Sequence, residues 1–287
     1  MPSRGPVALL AGGLEDTGRY YEILTPPGGV KIPLVVHVPH SSRCIPEDFR
    51  PQFALTDDEL GAEILAMTDA YTDELFHAAI DLGGLMFINR TSRLVMDPER
   101  FPDDDEEPMS LKGMGAVYTK TSHGEALRAE NFQSNERNEL MQKLFWPYSR
   151  DLERVVTESV DRFSRCLIID SHSFPSRSLP YEDDSLVRPD ICFGHDSYHA
   201  PHDVLEGLKA TCADRGWHVA DNSPFAGSYV PLKYYRSETQ VKSLMIEVNR
   251  GQYMDEANGE KSDGFTETRS LVRVLLGRVE SHLSSGW

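Results

Sequence analysis

Three short apolar runs in this chain each lead into polar residues of the kind that carry out chemistry. They are residues 33–38 before Pro39-His40-Ser41-Ser42, residues 166–169 before Asp170-Ser171-His172-Ser173, and residues 243–246 before Glu247-Val248-Asn249-Arg250. Each run is bounded by turn residues and is too short for a helix, which favours a buried parallel strand. Open α/β sheets bind ligands in the crevice beyond the carboxyl ends of their strands. The sequence therefore predicts that two histidines, a glutamate and an arginine converge there, in the outline of a mononuclear metal hydrolase.

The composition limits the classes of partner. A chain of 287 residues with 39% apolar residues can bury a large core. The net charge of −17 argues against nucleic acid or an anionic membrane surface as the main partner. No apolar run approaches the roughly 20 residues that a membrane span needs. The apolar stretch at 7–11 is shorter than the roughly 7–15 residues of a signal-peptide core, so we interpret residues 1–30 as an irregular arm of a cytoplasmic protein.

Predicted strands and helices alternate along the chain. This order favours one α/β domain over residues 1–287, with three α/β/α layers around a mixed, mostly parallel sheet. Two long segments without periodic structure, 89–131 and 174–189, are expected to be active-site loops.

Helices are predicted from caps and apolar spacing. Thr56, followed three residues later by Glu59, is a capping signature for one helix of roughly 20 residues that ends at Gly83-Gly84. Residues 134–165 are expected to form one long helix, or two if Pro147 breaks it.

Two histidines are the best metal-ligand candidates. A catalytic zinc ion needs about three protein ligands of the His, Asp or Glu type and an open position for water. His40 and His172 each directly follow a predicted buried strand, beside small residues. The structural alternative is that His40 caps a turn and that His172 is a hydrogen-bonded core residue. His37, which points away from Val36 and Val38, is interpreted as structural.

A carboxylate should complete the ligand set. Asp69 and Asp73 are four residues apart on the predicted helix and therefore share a face. Two like charges at this spacing repel each other unless a cation or a partner lies between them. Asp69 is the candidate ligand and Asp73 the alternative; the structural interpretation of both is a solvated polar flank.

Glu247 is a charged residue within an apolar run, where a carboxylate without a partner is costly. It is the candidate general base, which would take a proton from a metal-activated water and pass it to the leaving nitrogen. The structural alternative is a salt bridge with Arg250 or another basic group.

Arg90, Arg93 and Arg100 are clustered after a predicted strand end. The planar fork of arginine suits a bidentate contact with a substrate carboxylate, which would indicate a small anionic substrate. The alternative is an ion network at the surface.

Taken together, these motifs resemble the N-formylglutamate amidohydrolase (N-formylglutamate deformylase) family, which is similar to the zinc carboxypeptidases. The ordered set runs from about residue 33 to 256 and comprises Val38-Pro39-His40-Ser41 with Ile45-Pro46, Thr68-Asp69-x-x-x-Asp73-x-Leu75-Phe76, Ser92-Arg93-x-x-x-Asp97-x-x-Arg100, Asp170-Ser171-His172-Ser173, Pro224-Phe225-x-Gly227, and Ile246-Glu247-x-Asn249-Arg250-x-x-Tyr253-Met254.

The resemblance implies a zinc-exopeptidase type of α/β/α fold and hydrolysis of N-formyl-L-glutamate to formate and glutamate. It also implies zinc as cofactor, with substrate contacts from Arg93, Arg100, Arg250 and Ser173. Arg43 stands where the zinc carboxypeptidases carry a glutamate ligand, so the carboxylate must come from elsewhere. Where the family usually has Asp-Leu-Asn-Arg, this chain has Asp97-Pro98-Glu99-Arg100. This difference lies in the region that the resemblance implies binds the substrate carboxylate.

The sequence thus predicts a zinc-dependent amidohydrolase acting on a small N-acyl amino acid. A carboxypeptidase-like enzyme or an N-acyl amino acid deacylase is the alternative within enzymes. A metal-free protein that holds an anionic ligand on the same fold is the alternative outside them.

Overall fold

The computed structural model describes residues 14–16, for which the backbone is given, and residues 20–285. The strands are β1 Leu14–Asp16, β2 Tyr21–Leu24, β3 Leu34–Val38, β4 Leu85–Asn89, β5 Cys166–Phe174, β6 Ile191–Gly194, β7 Val219–Asp221, β8 Val241–Asn249, β9 Met254–Asp255 and β10 Glu260–Lys261. The α-helices are α1 Asp57–Met67, α2 Thr72–Leu75, α3 Ala78–Asp81, α4 Ser134–Leu140, α5 Trp146–Phe163, α6 His202–Ala213 and α7 Phe265–Ser285.

Within these residues, eight strands form one sheet in the order β1-β2-β4-β3-β5-β8-β6-β7. The central strands β4, β3, β5 and β8 are parallel to one another, and β6 and β7 are parallel to each other. Antiparallel pairs join β1 to β2, β2 to β4 and β6 to β8. The predicted mixed, mostly parallel sheet is therefore confirmed.

Side chains on the central strands alternate between two cores, because successive residues of a strand point to opposite faces. Val36 and Ile169 pack in a core with residues of α6 and α7, whereas Val35 and Ile168 pack in a core with α5. Helices therefore cover both faces of the sheet, and the predicted three α/β/α layers are confirmed. A third apolar cluster, which includes Tyr118, lies beneath the loop at 89–131 and holds it against α4. Among the described residues, no helix has the length and apolarity that crossing a membrane requires.

The prediction of an irregular arm at 1–30 is wrong for part of that segment. Residues 14–16 and 21–24 are strands at one side of the sheet, and the remaining residues of 1–19 lie outside the described part of the chain. Tyr21 and Ile23 are buried while Glu22 is partly exposed, which is the alternation of a half-buried strand. This four-residue pattern is too short to stand out in the sequence.

The single helix predicted from Thr56 to Gly83 is also wrong. The capping box at Thr56 is present, but α1 ends at Met67, and short helices α2 and α3 follow after a break. Thr68 is extended and Tyr71 has a φ of 68°, which ends the helical path. The backbone N–H of Asp69 donates to the carbonyl of His40 instead of to a helical partner.

Other elements are longer or more continuous than predicted. The histidine and glutamate segments lie inside β5 and β8, because the parallel ladder between these strands continues through the pairs His172–Glu247 and Phe174–Asn249. Residues 134–163 form α4 and α5, joined by a π-helical turn at 141–145, and Pro147 lies in the first turn of α5. There its missing N–H costs little.

Candidate active site

A cleft of about 570 Å³ lies beyond the carboxyl ends of the central strands. Of the residues singled out in the sequence as candidate ligands, base or substrate contacts, all but Asp73 and Arg90 line it: His40, Asp69, Arg93, Arg100, His172, Ser173, Glu247 and Arg250. Both predicted active-site loops contribute to its wall, the first through Arg93 and Arg100 and the second through residues such as Tyr181.

Three of the predicted metal ligands lie in contact at the floor of this cleft. The Nδ1 atoms of His40 and His172 are 3.3 Å apart. Asp69 Oδ2 lies 3.0 Å from Nδ1 of His172 and 3.7 Å from Nδ1 of His40. All three residues are at most 5% exposed. The break after α1 brings Asp69 here, since it turns the chain toward the end of β3.

Carboxylates contact the Nε2 atom of each histidine ring, on the side away from the other histidine. His40 Nε2 lies 2.8 Å from Asp97 Oδ1, and His172 Nε2 lies 3.3 Å from Asp170 Oδ1. A hydrogen on Nε2 donated to such a carboxylate leaves the lone pair of Nδ1 free, which is the usual arrangement behind a metal-ligating histidine. His37 Nδ1 donates to Asp170 Oδ1 at 3.0 Å, and its Nε2 contacts the Tyr148 hydroxyl, in keeping with a structural role.

The titration behaviour of these groups reflects their mutual contacts. Burial would lower the pKa of His172, but the charges of Glu99 and Asp170 raise it well above its ordinary value. Burial would raise the pKa of Asp69, but hydrogen bonds with His172 and His40 hold it well below its ordinary value. The floor is thus organised around negatively charged carboxylates that attract a cation.

Glu99 is a further carboxylate at this floor, and the sequence reasoning missed its role. Its Oε1 lies 3.2 Å from His172 Nε2, and its Oε2 lies 3.6 Å from His40 Nδ1. His40, Glu99 and His172 together form a group whose ligand atoms are close enough to hold one ion. The signal available in the sequence was the segment Asp97-Pro98-Glu99-Arg100. There a glutamate stands where the family that the motifs resemble usually has an asparagine.

Asp73, the alternative carboxylate ligand, lies elsewhere. Its Oδ2 accepts a hydrogen bond from Arg90 Nη1 at 2.7 Å, and Arg90 also contacts Glu22. The prediction that Asp69 and Asp73 share a helix face is wrong, because the helix ends between Met67 and Thr72. Arg90 and Asp73 form an ion pair outside the residues that line the cleft.

Glu247, the candidate general base, is a buried carboxyl group with one oxygen that makes no hydrogen bond within the described residues. It is 6% exposed, and its Oε2 has no hydrogen-bond partner among the described residues. Its pKa is raised to about 8, chiefly because burial disfavours the charged form; the negative charge of Asp69 adds to this, while His172 and Arg250 oppose it. The predicted alternative of a salt bridge with Arg250 is wrong, since that guanidinium pairs with Asp69 at 2.8 Å.

Arg93 and Arg100 flank Asp97, as the sequence suggested, but inside the cleft wall. Arg93 Nη2 donates to Asp97 Oδ2 at 2.8 Å, and its Nε donates to the Tyr118 hydroxyl at 3.1 Å. Arg100 Nε is buried, lies 3.5 Å from Asp97 Oδ2 and makes no hydrogen bond within the described residues. Both arginines therefore belong to an ion network around Asp97, as the alternative interpretation expected, but this network is buried in the cleft wall and not at the surface. Contact of either arginine with a substrate stays a prediction.

Arg250 and Ser173 brace the floor. Arg250 donates from Nη2 to Asp69 Oδ1 at 2.8 Å, from Nη1 to the carbonyl of Ala66 at 2.6 Å and from Nε to Ser173 Oγ at 3.2 Å. These bonds fix the carboxylate plane of Asp69. Both residues line the cleft, and their contact with a substrate stays a prediction.

The chain is similar to known proteins along most of its length. A family model described as N-formylglutamate amidohydrolase matches residues 32–254. N-formylglutamate deformylases of Pseudomonas putida and Pseudomonas aeruginosa are each 27% identical to this chain, over 86% of it and over 91% and 92% of their own lengths.

Solved structures show the same fold. An N-formylglutamate amidohydrolase from Ralstonia eutropha has a TM-score of 0.80 and 20% identity, covering 93% of this chain and 99% of that one. A protein from Agrobacterium tumefaciens has a TM-score of 0.68 and 16% identity, covering 92% of this chain and 96% of that one. Since the family model spans most of the sequence, the chain belongs to the N-formylglutamate amidohydrolase family.

Proposed function

We propose that this protein is a zinc-dependent amidohydrolase that cleaves N-formyl-L-glutamate to formate and L-glutamate. The observation that carries the proposal is the buried Glu247 carboxylate, whose Oε2 has no partner among the described residues, beside the pair of histidines. The names of the Pseudomonas relatives support the substrate.

The donor set fits a zinc ion. Zinc bonds of roughly 2.0–2.2 Å at tetrahedral angles place ligand atoms about 3.4 Å apart. The observed separations among His40 Nδ1, His172 Nδ1 and Asp69 Oδ2, from 3.0 to 3.7 Å, match that spacing. These three residues would hold the metal, with Glu99 as a second carboxylate within reach. The chemistry that zinc supplies in such a site is Lewis acidity, which polarises a carbonyl oxygen and lowers the pKa of water.

The chain's own groups would carry the proton. Glu247 as a carboxylate accepts a proton from the attacking water. It then delivers that proton to the amide nitrogen as the C–N bond breaks, so that glutamate leaves as an amine. A group with a pKa of about 8 is suited to both steps near neutral pH.

The arginines would select the substrate. The buried Arg93 and Arg100, whose Nε lies near Asp97 but makes no hydrogen bond within the described residues, offer positive charge in the cleft wall. A bidentate contact with a substrate carboxylate would orient the amide toward Glu247. This favours an acidic N-acyl amino acid over a neutral one.

Release of formate tests the proposal. Protein dialysed to remove metal and reloaded with one equivalent of zinc should release formate from N-formyl-L-glutamate, and the metal-free protein should not. A folded protein that takes up no zinc yet binds N-formyl-L-glutamate would instead favour the metal-free anion-binding alternative.

A further inference from the structure

We infer that Arg128 is a positioning residue for substrate binding, because it holds in place the part of the cleft wall that carries Arg93. The inference rests on the proposed function, since it concerns an arginine that is proposed there to contact the substrate carboxylate. Arg128 does not itself line the cleft. It would therefore act on the substrate only through the residues that it holds.

Arg128 is a buried cation that lies among carbonyl groups and aromatic rings. It is 7% exposed, and its guanidinium carbon lies 4.7 Å from the ring centroid of Phe53 and 4.8 Å from that of Phe132. Burial lowers the pKa of Arg128 to about 9, since no carboxylate among the described residues opposes this effect. A buried charge without a counter-ion is costly. The hydrogen bonds of the guanidinium must therefore offset a substantial cost.

The guanidinium of Arg128 joins two segments of the loop at 89–131. Its Nη2 donates to the carbonyls of Leu94 and Val95 at 2.8 and 3.0 Å, and its Nε donates to the carbonyl of Tyr118 at 2.7 Å. All three acceptor residues are buried. An apolar side chain at position 128 would leave their carbonyls without this donor, which is costly for buried groups. One side chain thus ties the segment at 94–95 to Tyr118.

Both segments lead directly to Arg93. Leu94 is the next residue in the chain, and the Tyr118 hydroxyl accepts a hydrogen bond from Arg93 Nε at 3.1 Å. The same hydroxyl donates to Asp97 Oδ2 at 2.8 Å, and Arg93 Nη2 also donates to this oxygen at 2.8 Å. Without Arg128 we expect Tyr118 and the backbone at Leu94 to separate. Arg93 would then lose the orientation that a bidentate contact with a carboxylate needs.

The metal site should be less affected than the substrate contact. Asp97 Oδ1 lies 2.8 Å from His40 Nε2 and accepts a hydrogen bond from the backbone N–H of Glu99 at 3.1 Å. The backbone N–H of Asp97 donates to the carbonyl of Ala116. None of these bonds involves Arg128. Loss of Arg128 should therefore weaken substrate binding while the chemical step is retained, a change that raises KM and leaves kcat.

Exchange of Arg128 for methionine tests the inference kinetically. Methionine has no donor, so KM for N-formyl-L-glutamate should rise by about tenfold or more, the factor that one hydrogen bond to a charged group is worth. The value of kcat should stay within about threefold of the wild type, as expected when only uniform binding is lost. Zinc should remain near one equivalent per chain.

Arg165→Met is the matched control. Arg165 also donates from Nη2 to a backbone carbonyl, that of Leu283 at 2.8 Å, but it lies outside the cleft lining. Its loss should lower Tm and leave KM unchanged. An unchanged KM in Arg128→Met would overturn the inference. An equal rise of KM in the control, or a fall in kcat without a rise in KM, would overturn it as well.

Arg128→Lys is the conservative variant. A lysine ammonium keeps the charge but cannot reproduce the planar fork that reaches both segments. Its KM should therefore lie between those of the wild type and Arg128→Met. If the methionine variant does not fold, a wild-type KM in Arg128→Lys would overturn the inference.

Hydrogen exchange gives a readout that a general loss of stability does not produce. In Arg128→Lys, the backbone amides of residues 93–97 should exchange faster than in the wild type, because the segment is less firmly held. The amides of β5 should keep their wild-type rates. Equal acceleration in both regions would assign Arg128 a purely structural role and overturn the inference.

Binding measured without turnover separates this inference from the proposed function. Calorimetric titration of N-formyl-L-glutamate into Glu247→Gln should give at least about tenfold tighter binding than titration into the double variant with Arg128→Met. Such a difference, in a protein whose wild type hydrolyses no formyl amide, would leave the inference standing and remove the proposed function. Hydrolysis of N-formyl-L-glutamate by the wild type, with equal binding by the two variants, would do the reverse.

Discussion

At the scale of single residues, each histidine of the cleft contacts a carboxylate through the ring nitrogen that faces away from the other histidine. Asp97 holds His40 and Asp170 holds His172, while Arg250 holds Asp69. Glu247, in contrast, is buried without a hydrogen bond on one oxygen within the described part of the chain. The ligand candidates are therefore fixed in orientation, and the candidate base is left free to exchange a proton.

The unpaired state of Glu247 should lower the stability of the metal-free protein. Its folded-state pKa of about 8 lies above the ordinary value of 4.5, so the folded state binds more protons and stability falls as pH rises through that window. Glu247→Gln removes this dependence. In chelator-treated protein, the Tm of the variant should exceed that of the wild type at pH 8 and approach it at pH 5. A wild type that is more stable than the variant at pH 8 would show that the carboxylate has a partner.

Arg100 should govern recognition of the substrate carboxylate. Lysine cannot reproduce the guanidinium fork, so Arg100→Lys should raise KM for N-formyl-L-glutamate by about tenfold or more. The analogue in which the bound carboxylate is an amide, N-formyl-L-glutamine or N-formyl-L-isoglutamine, should be much less affected. Arg90→Lys is the control, since Arg90 pairs with Asp73 and Glu22 outside the cleft. Equal losses for acid and both amides would assign Arg100 a structural role through Asp97.

At the scale of elements, the break between α1 and α2 decides which aspartate reaches the cleft. The capping box at Thr56 and the apolar spacing predict the start of α1 correctly, but they carry no signal for its end. The helix stops because Asp69 is held by His40 and Arg250, contacts between residues far apart in sequence. Local periodicity cannot report such contacts.

Exchanging Asp69 and Asp73 one at a time for asparagine tests whether Asp69, and not Asp73, belongs to the metal site. Asp69→Asn should reduce bound zinc well below one equivalent per chain, because it removes the charge beside both histidines. Asp73→Asn should retain full zinc, since its ion pair with Arg90 lies outside the cleft. Metal analysis of the two purified variants shows which aspartate holds the zinc. His40→Ala and His172→Ala serve as references for the loss of zinc. Loss of zinc in Asp73→Asn with retention in Asp69→Asn would reverse the assignment.

The apolar pattern of the strands predicts the location of the site residues better than the apolar pattern of the helices does. Apolar runs bounded by turn residues correctly located β3, β5 and β8, and with them His40, His172 and Glu247 in one crevice. The sequence could not show that β5 and β8 continue through their polar residues, because that depends on pairing between the two strands. Glu99 was missed for a similar reason: it follows no strand and enters the site only through the fold of the loop at 89–131.

At the scale of the whole molecule, a chain with a net charge of −17 concentrates Arg93, Arg100 and Arg250 in one cleft. The parallel centre of the sheet brings the ends of β3, β5 and β8 together, and the two cores on its faces hold them there. The cleft thus offers local positive charge for an anionic substrate and carboxylates for a metal, within an acidic protein. Family membership and geometry together support a hydrolytic function for this arrangement.

The most direct test is the turnover of zinc-loaded Glu247→Gln with N-formyl-L-glutamate, measured together with its zinc content. Glutamine keeps the shape of the side chain but cannot accept the proton. We expect zinc to remain near one equivalent per chain while kcat falls on the order of 10²–10⁴-fold, the range for loss of a general base. A fall in kcat of less than about tenfold with full zinc, well below that range, would contradict the account and place the base elsewhere.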